Sequence, residues 1–209
     1  MKNLSEIDPP RQSDKKRIAS LISNFGNPFT LLFLFTLYSC FVYLPFERAL
    51  KIILLILFLA LVPTGLFIVF NVKRGKYSNY DVSNQKQRPS LYLFSLVVIL
   101  FILGGLLINH EPQFIIGGCI AAFSLLLASF MVNMKIKCSL HTSFAVFIAI
   151  AFLRLNIYWS LGLFIFSILM GWSRLELHRH TNQEVVIGAI LGSTIGVLFY
   201  LLTKPYVIS

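Results

Sequence analysis

Acidic side chains are scarce in this sequence, with eight Asp and Glu against 18 Lys and Arg in 209 residues. The polar segments hold no cluster of carboxylates suited to Mg²⁺, so the chemistry to expect is metal-independent and needs no cofactor. Cysteine is almost missing as well. Cys40, Cys119 and Cys138 are an odd number, the first two inside apolar runs, which excludes a disulfide framework and a cysteine metal site. No internal repeat, low-complexity tract or separate soluble domain is present. The N-terminus lacks the layout of a signal peptide, because about 28 polar residues precede the first apolar run.

What the chain has in quantity is apolar sequence. It is 57% hydrophobic with a mean hydropathy of +0.80, and its apolar residues fall in runs at about 29–45, 50–71, 91–109, 114–134, 142–155, 157–172 and 185–203. A bilayer core of about 30 Å takes roughly 20 residues of helix. The fold expected is therefore all-α, a polytopic transmembrane bundle of seven spans, or six if the first run is re-entrant. Residues 29–209 form one membrane domain, and residues 1–28 form a polar tail in which Lys15 to Ile22 alternate basic and apolar positions as a short interfacial helix would.

The formal charge of +10 raises nucleic acid as a partner. No basic stripe interleaves with the aromatics, which lie in and beside the spans, so nucleic acid is excluded in favour of membrane lipids. Pass parity locates the charge. Two runs precede the loop at 72–90, two more separate it from 135–141, and another two lead to 173–184, so all three polar segments emerge on one face. Of the 18 Lys and Arg, 14 lie in these segments and the tail, leaving Arg48, Lys51, Arg154 and Lys204 elsewhere. The positive-inside rule would make that face cytoplasmic, and the opposite face stays open as the alternative. A phosphate site would need cations whichever way it faced; with its four cations set aside the balance is still ten to four.

The densest polar stretch is Gly171 to Glu184, GWSRLELHRHTNQE. If a helix starts near His180, Glu184 lies one turn away on the same face and orients the imidazole, leaving its other nitrogen free to attack. Arg174 offers a planar fork of donors matched to phosphate oxygens. Ser173, Arg174, five residues, His180, three residues and an acid resembles the third signature of the type 2 phosphatidic acid phosphatases, the membrane branch of the superfamily that includes vanadium haloperoxidases. The acid there is normally Asp. The first loop keeps that family's Arg88-Pro89 but has Asp81 where its lysine stands, with Lys86 a substitute cation. The second segment, Lys135 to His141, keeps Ser139 and His141 of the Pro-Ser-Gly-His signature, with Cys138 and Leu140 in place of Pro and Gly.

The resemblance, which covers residues 72–192, implies a membrane lipid phosphatase. His180 is the expected nucleophile, Glu184 its orienter and His141 the general acid. Arg174, Arg88, Ser139, Lys137 and Lys86 are the expected phosphate contacts, and a lipid phosphate monoester or diphosphate the substrate. His178, Arg179 and Glu176 read as rim or structural residues. Two alternatives remain open: a phosphotransferase in which an alcohol replaces water, and a catalytically degenerate lipid-binding relative. Bacterial members imply location in the cell's inner membrane. Gly188, Gly192 and Gly196, four residues apart, mark a close helix approach, expected within the chain; the oligomeric state is left open.

Overall fold

The computed structural model describes residues 14–203, and what it describes is all-helical. Eight helices run in order: α1 (Asp14–Phe25), α2 (Pro28–Tyr43), α3 (Phe46–Lys73), α4 (Arg88–Ile108), α5 (Gln113–Asn133), α6 (Leu140–Ala151), α7 (Ile157–Glu176) and α8 (Asn182–Leu202). Residues 1–13 of the expected tail, and Lys204, lie outside the described residues. Among those described, α3, α5, α7, α8 and the helix that includes α4 are long and apolar enough to cross a membrane. Their outer faces expose large apolar side chains such as Phe58, Phe101 and Ile168. This is an integral membrane protein.

The other two apolar runs differ from simple spans for local reasons. The first becomes α2, a 16-residue helix that reaches span length only together with α1, across a 49° bend. Gly26 occupies that bend because a Cβ there would meet the Met170 side chain at 1.8 Å. The fifth run becomes α6, which continues as one turn of 3₁₀ helix to Arg154 and is too short to count as a span by length. Every residue from His141 to Ala151 is buried. The helix is a central post that lipid does not touch, so it needs no lipid-matched length. Arg154 ends it by donating to the Tyr200 carbonyl of α8, and Asn156 Oδ1 caps α7 by accepting from the backbone of Tyr158 and Trp159.

Lipid tails are as apolar as the side chains, so close backbone approach and shape hold such a bundle together. The glycine stripe of α8 supplies that approach, and its partner is α6. A Cβ on Gly188 would lie 2.6 Å from the Ser139 carbonyl oxygen, and one on Gly192 would lie 2.2 Å from that of Ser143. Deeper in the bundle, the Phe35 ring of α2 lies between 5.6 and 6.3 Å from the rings of Phe114, Phe147, Phe152 and Phe199. Tilted and edge-on contacts of this kind order the far half.

The segment expected as a tail is structured from Asp14 onward. Ala19 and Ser23 of α1 are buried against α7, so α1 belongs to the bundle. Midway along α3, residues Leu57–Leu61 form a π-turn just before Pro63. Proline has no N–H to donate and its ring would collide with the carbonyl four residues earlier, and the wider turn absorbs that conflict.

Candidate active site

The three polar segments meet at one end of the bundle, and one guanidinium joins them. Arg88 opens α4 and is only 4% exposed. Its Nε donates to the Val82 carbonyl at 3.0 Å, its Nη1 to the Cys138 carbonyl at 2.8 Å, and its Nη2 lies 3.4 Å from His180 Nε2. Val82 holds its carbonyl there with φ at +43°, a left-handed conformation that strains a β-branched residue.

His180 is positioned by the end of one helix and the start of the next. Beyond α7 the chain turns through His178, exposed and left-handed at φ +51°, and the backbone N–H groups of Arg179 and His180 both donate to the Arg174 carbonyl. Thr181 then caps α8 in a capping box with Glu184. The same carboxylate oxygen, Glu184 Oε2, lies 2.6 Å from His180 Nδ1. A carboxylate accepts, so Nδ1 carries the proton and the Nε2 lone pair points toward Arg88. Burial lowers the imidazole's pKa, and the charges of Arg88, Arg174 and Lys137 with His141 push it further, so His180 stays neutral far below the ordinary imidazole range.

Arg174 is 1% exposed. Its Nη1 donates to Ser23 Oγ of α1 at 2.6 Å and its Nη2 to Asp81 Oδ2 at 2.5 Å, while its buried Nε has no partner among the described residues. The other Asp81 oxygen lies 3.4 Å from His141 Nε2. Burial alone would raise the Asp81 pKa, but His141, Arg174 and Arg179 together outweigh it and hold the carboxyl below its usual value. Asp81 is thus an anion held between a guanidinium and an imidazole.

Of the residues expected from sequence, His180, Glu184, Arg88, Arg174 and His141 come together here. Lys137 sits at the margin, with Nζ 2.6 Å from the Arg179 carbonyl and 3.6 Å from Glu184 Oε2. Burial lowers its pKa, opposed by Glu184 and assisted by Arg88 and Arg174. Two expected contacts do not take their place. Lys86 is exposed on the 3₁₀ turn Gln85–Gln87, with its backbone N–H on Asn84 Oδ1. Ser139 is the N-cap of α6: its Oγ accepts from Thr142 N and shares a bond with Thr142 Oγ1, and its N–H donates to the Glu184 carbonyl. Both its polar groups have protein partners, and it is fully buried.

Asp81 and Ser23 are the contributors that sequence reasoning missed, and Arg179, read as a rim or structural residue, donates to Ser83 Oγ and adds its charge near Asp81. Asp81 carried a signal, as one of few acids in a basic loop, but it read as a lost lysine. Ser23 gave none. A cavity of about 60 Å³ opens beside the cluster, lined at its polar end by Asp81, Arg88 and His141. Arg88 and His141 line this cavity, while His180 and Arg174 are linked to it through their contacts with Arg88 and Asp81. A neutral, oriented imidazole, a second imidazole and two buried guanidiniums in one cluster are groups that can bind an oxyanion and transfer a group to nitrogen. Compared with protein families, curated proteins and solved structures, the chain matches none.

Proposed function

We propose that this protein hydrolyses a lipid phosphate monoester or diphosphate at the membrane surface through a phosphohistidine, as its resemblance to the type 2 phosphatidic acid phosphatases implies. The observation that carries the reading is the His180 imidazole, held by Glu184 at 2.6 Å on one nitrogen and faced by Arg88 at 3.4 Å on the other. When substrate arrives, Arg88 Nη2 exchanges Nε2 for a phosphate oxygen, which frees the lone pair. Nε2 attacks phosphorus, the bond from phosphorus to the lipid oxygen breaks, and His141, which enters the step as an imidazolium paired with the Asp81 carboxylate, gives that oxygen its proton. Water activated by His141 then cleaves the phosphohistidine, returning orthophosphate and the free imidazole. Arg88 and Arg174 stabilise the charge on the nonbridging oxygens. The excess of basic residues at this end favours a cytoplasmic site in a bacterial inner membrane.

The Asp81–Arg174 pair favours a second reading, a lipid-binding protein without turnover, because it fills one guanidinium with an internal anion. One experiment separates the readings. Purified protein in detergent is given a panel of lipid phosphates with chelator present, and labelled phosphate is followed. Turnover releases orthophosphate, and His180→Ala abolishes the release; transfer of label to a second lipid identifies a phosphotransferase. Release undiminished in the Ala variant removes His180 as nucleophile.

A further inference from the structure

We infer that the bundle takes one aliphatic chain of its lipid phosphate into the protein interior, in an apolar channel that leads from Asp81, Arg88 and His141 along α4 to the far end of the helices. The inference rests on the lipid-phosphate reading for the identity of the head group, and on a separate set of observations for the chain.

A second cavity, of about 110 Å³, lies among α2, α3, α4 and α5. It shares the wall residues Phe29, Leu32, Ser95 and Ile99 with the cavity at the site, so the two are adjacent and a chain that moves these side chains aside joins them. Charge is confined to the site end. The rest of the wall is aliphatic or aromatic apart from a few hydroxyls and a thiol. Arg88 lines one end and Leu106 the other; on one helix at 1.5 Å per residue they are about 27 Å apart. A straight chain anchored by a phosphate fits that polarity, and to reach the far end it opens the cavities beyond their resting volume.

The volume decides between one chain and two. A group the size of water needs roughly 10–15 Å³ of such space, so cavities of about 110 and 60 Å³ hold on the order of a dozen such groups, enough for one alkyl chain. The second chain of a diacyl lipid would stay in the bilayer. The π-turn of α3 forms part of the wall through Ala60 and Leu61, with Ile56 just before it, and these residues are half-buried. Distortions of this type recur at functional sites. Here it gives the channel a side that also meets lipid, through which a chain slides in without leaving an apolar medium.

The test uses a long-chain alkyl phosphonate, which cannot be hydrolysed, with a diazirine at the end of its chain. It is photolysed with the full-length protein in detergent and the adducts are mapped by mass spectrometry. Straight and methyl-branched chains are run as separate arms to distinguish acyl-like from isoprenoid-like sources. Adducts are expected at Ile102, Leu106 and Ile115, where the channel ends. Ser95→Trp, at the junction of the two cavities, should cut them about tenfold by overfilling it, and Ser95→Ala should not. Adducts confined to the outer face, at Phe101, Ile108 or Ile168, overturn the inference. If the Trp variant does not fold, the map on the parent protein decides. Channel adducts in a protein that releases no orthophosphate retain the channel and remove the phosphatase; release with adducts only outside does the reverse.

Discussion

Asp81→Asn probes the ion pair on which the resting site depends. The guanidinium of Arg174 is 1% exposed and the carboxylate 22%, at 2.5 Å. Removing one partner of a fully buried pair costs about 3–5 kcal/mol, because the other charge is left dry and unpaired. Water reaches the Asp81 side in part, which lowers the expected cost to about 2–3 kcal/mol. At about 2–4 °C per kcal/mol for a chain of this size, Tm should fall by about 5–10 °C. Orthophosphate should then restore what the substitution removes. An anion at a hundred times its Kd stabilises by about 2.7 kcal/mol, close to the loss, and it takes the vacated position at Arg174. The parent, whose guanidinium is already paired, should gain less. Thermal unfolding of the detergent-purified proteins, with and without orthophosphate, reads both effects. A variant that melts with its parent, or a phosphate shift equal in the two, refutes the role assigned to Asp81.

Other outcomes follow from the same geometry. His141→Ala should lower kcat by about 10²–10⁴, the range for loss of a general acid, and a leaving group that needs no proton should recover most of it in steady-state assays. Glu184→Gln keeps the capping box but removes the charge from Nδ1, so kcat should fall with KM nearly unchanged. As pH falls, the unfolded chain protonates its imidazole near its usual value of about 6.5 while buried His180 stays neutral. The stability linked to His180 is therefore present above about pH 6.5 and lost below it, and melting from about pH 7 to pH 5 should drop more for the parent than for His180→Gln. Gly192→Ala drives a Cβ to 2.2 Å from the Ser143 carbonyl oxygen and should cost about 1–3 kcal/mol. Gly65→Ala, with nothing among the described residues within 4 Å, should be neutral or stabilising by up to about 1 kcal/mol.

Apolar run length made the helices legible, since a bilayer imposes nearly the same requirement on every span. Pass parity likewise brought the three basic segments to one end. His180 and Glu184 were readable because their relation is local, an i, i+4 pair at a helix start. Asp81 was not. Its partners Arg174 and His141 are distant in the chain, and no local pattern tells an acid that replaces a cation from one that pairs with a cation. Ser139 stands at a helix start as expected, but its hydroxyl is taken up by Thr142. A Ser directly before an apolar helix is first of all an N-cap, and the resemblance to a phosphate signature outweighed that simpler role. The docking of α1 left little trace, because the residues it buries are Ala19 and Ser23, too small to stand out in a polar segment.

Stability and affinity are coupled through the pair that Asp81 makes. Without an internal anion, Arg88 and Arg174 would be two buried like charges, and a structure that keeps them dry would depend on bound phosphate to fold. Asp81 removes that dependence by accepting from Arg174. On the phosphate reading, the substrate must then either displace the carboxylate or bind through Arg88 alone. Displacement gives back the free energy that Asp81 contributes, about 2–3 kcal/mol by the estimate above, which at 1.4 kcal/mol per decade is roughly 30- to 150-fold in Kd. Asp81→Asn should therefore bind orthophosphate more tightly by about that factor while folding less stably, and the two changes should be of similar size. A variant that loses stability without gaining affinity would place the phosphate away from Arg174, with Arg88 its sole guanidinium.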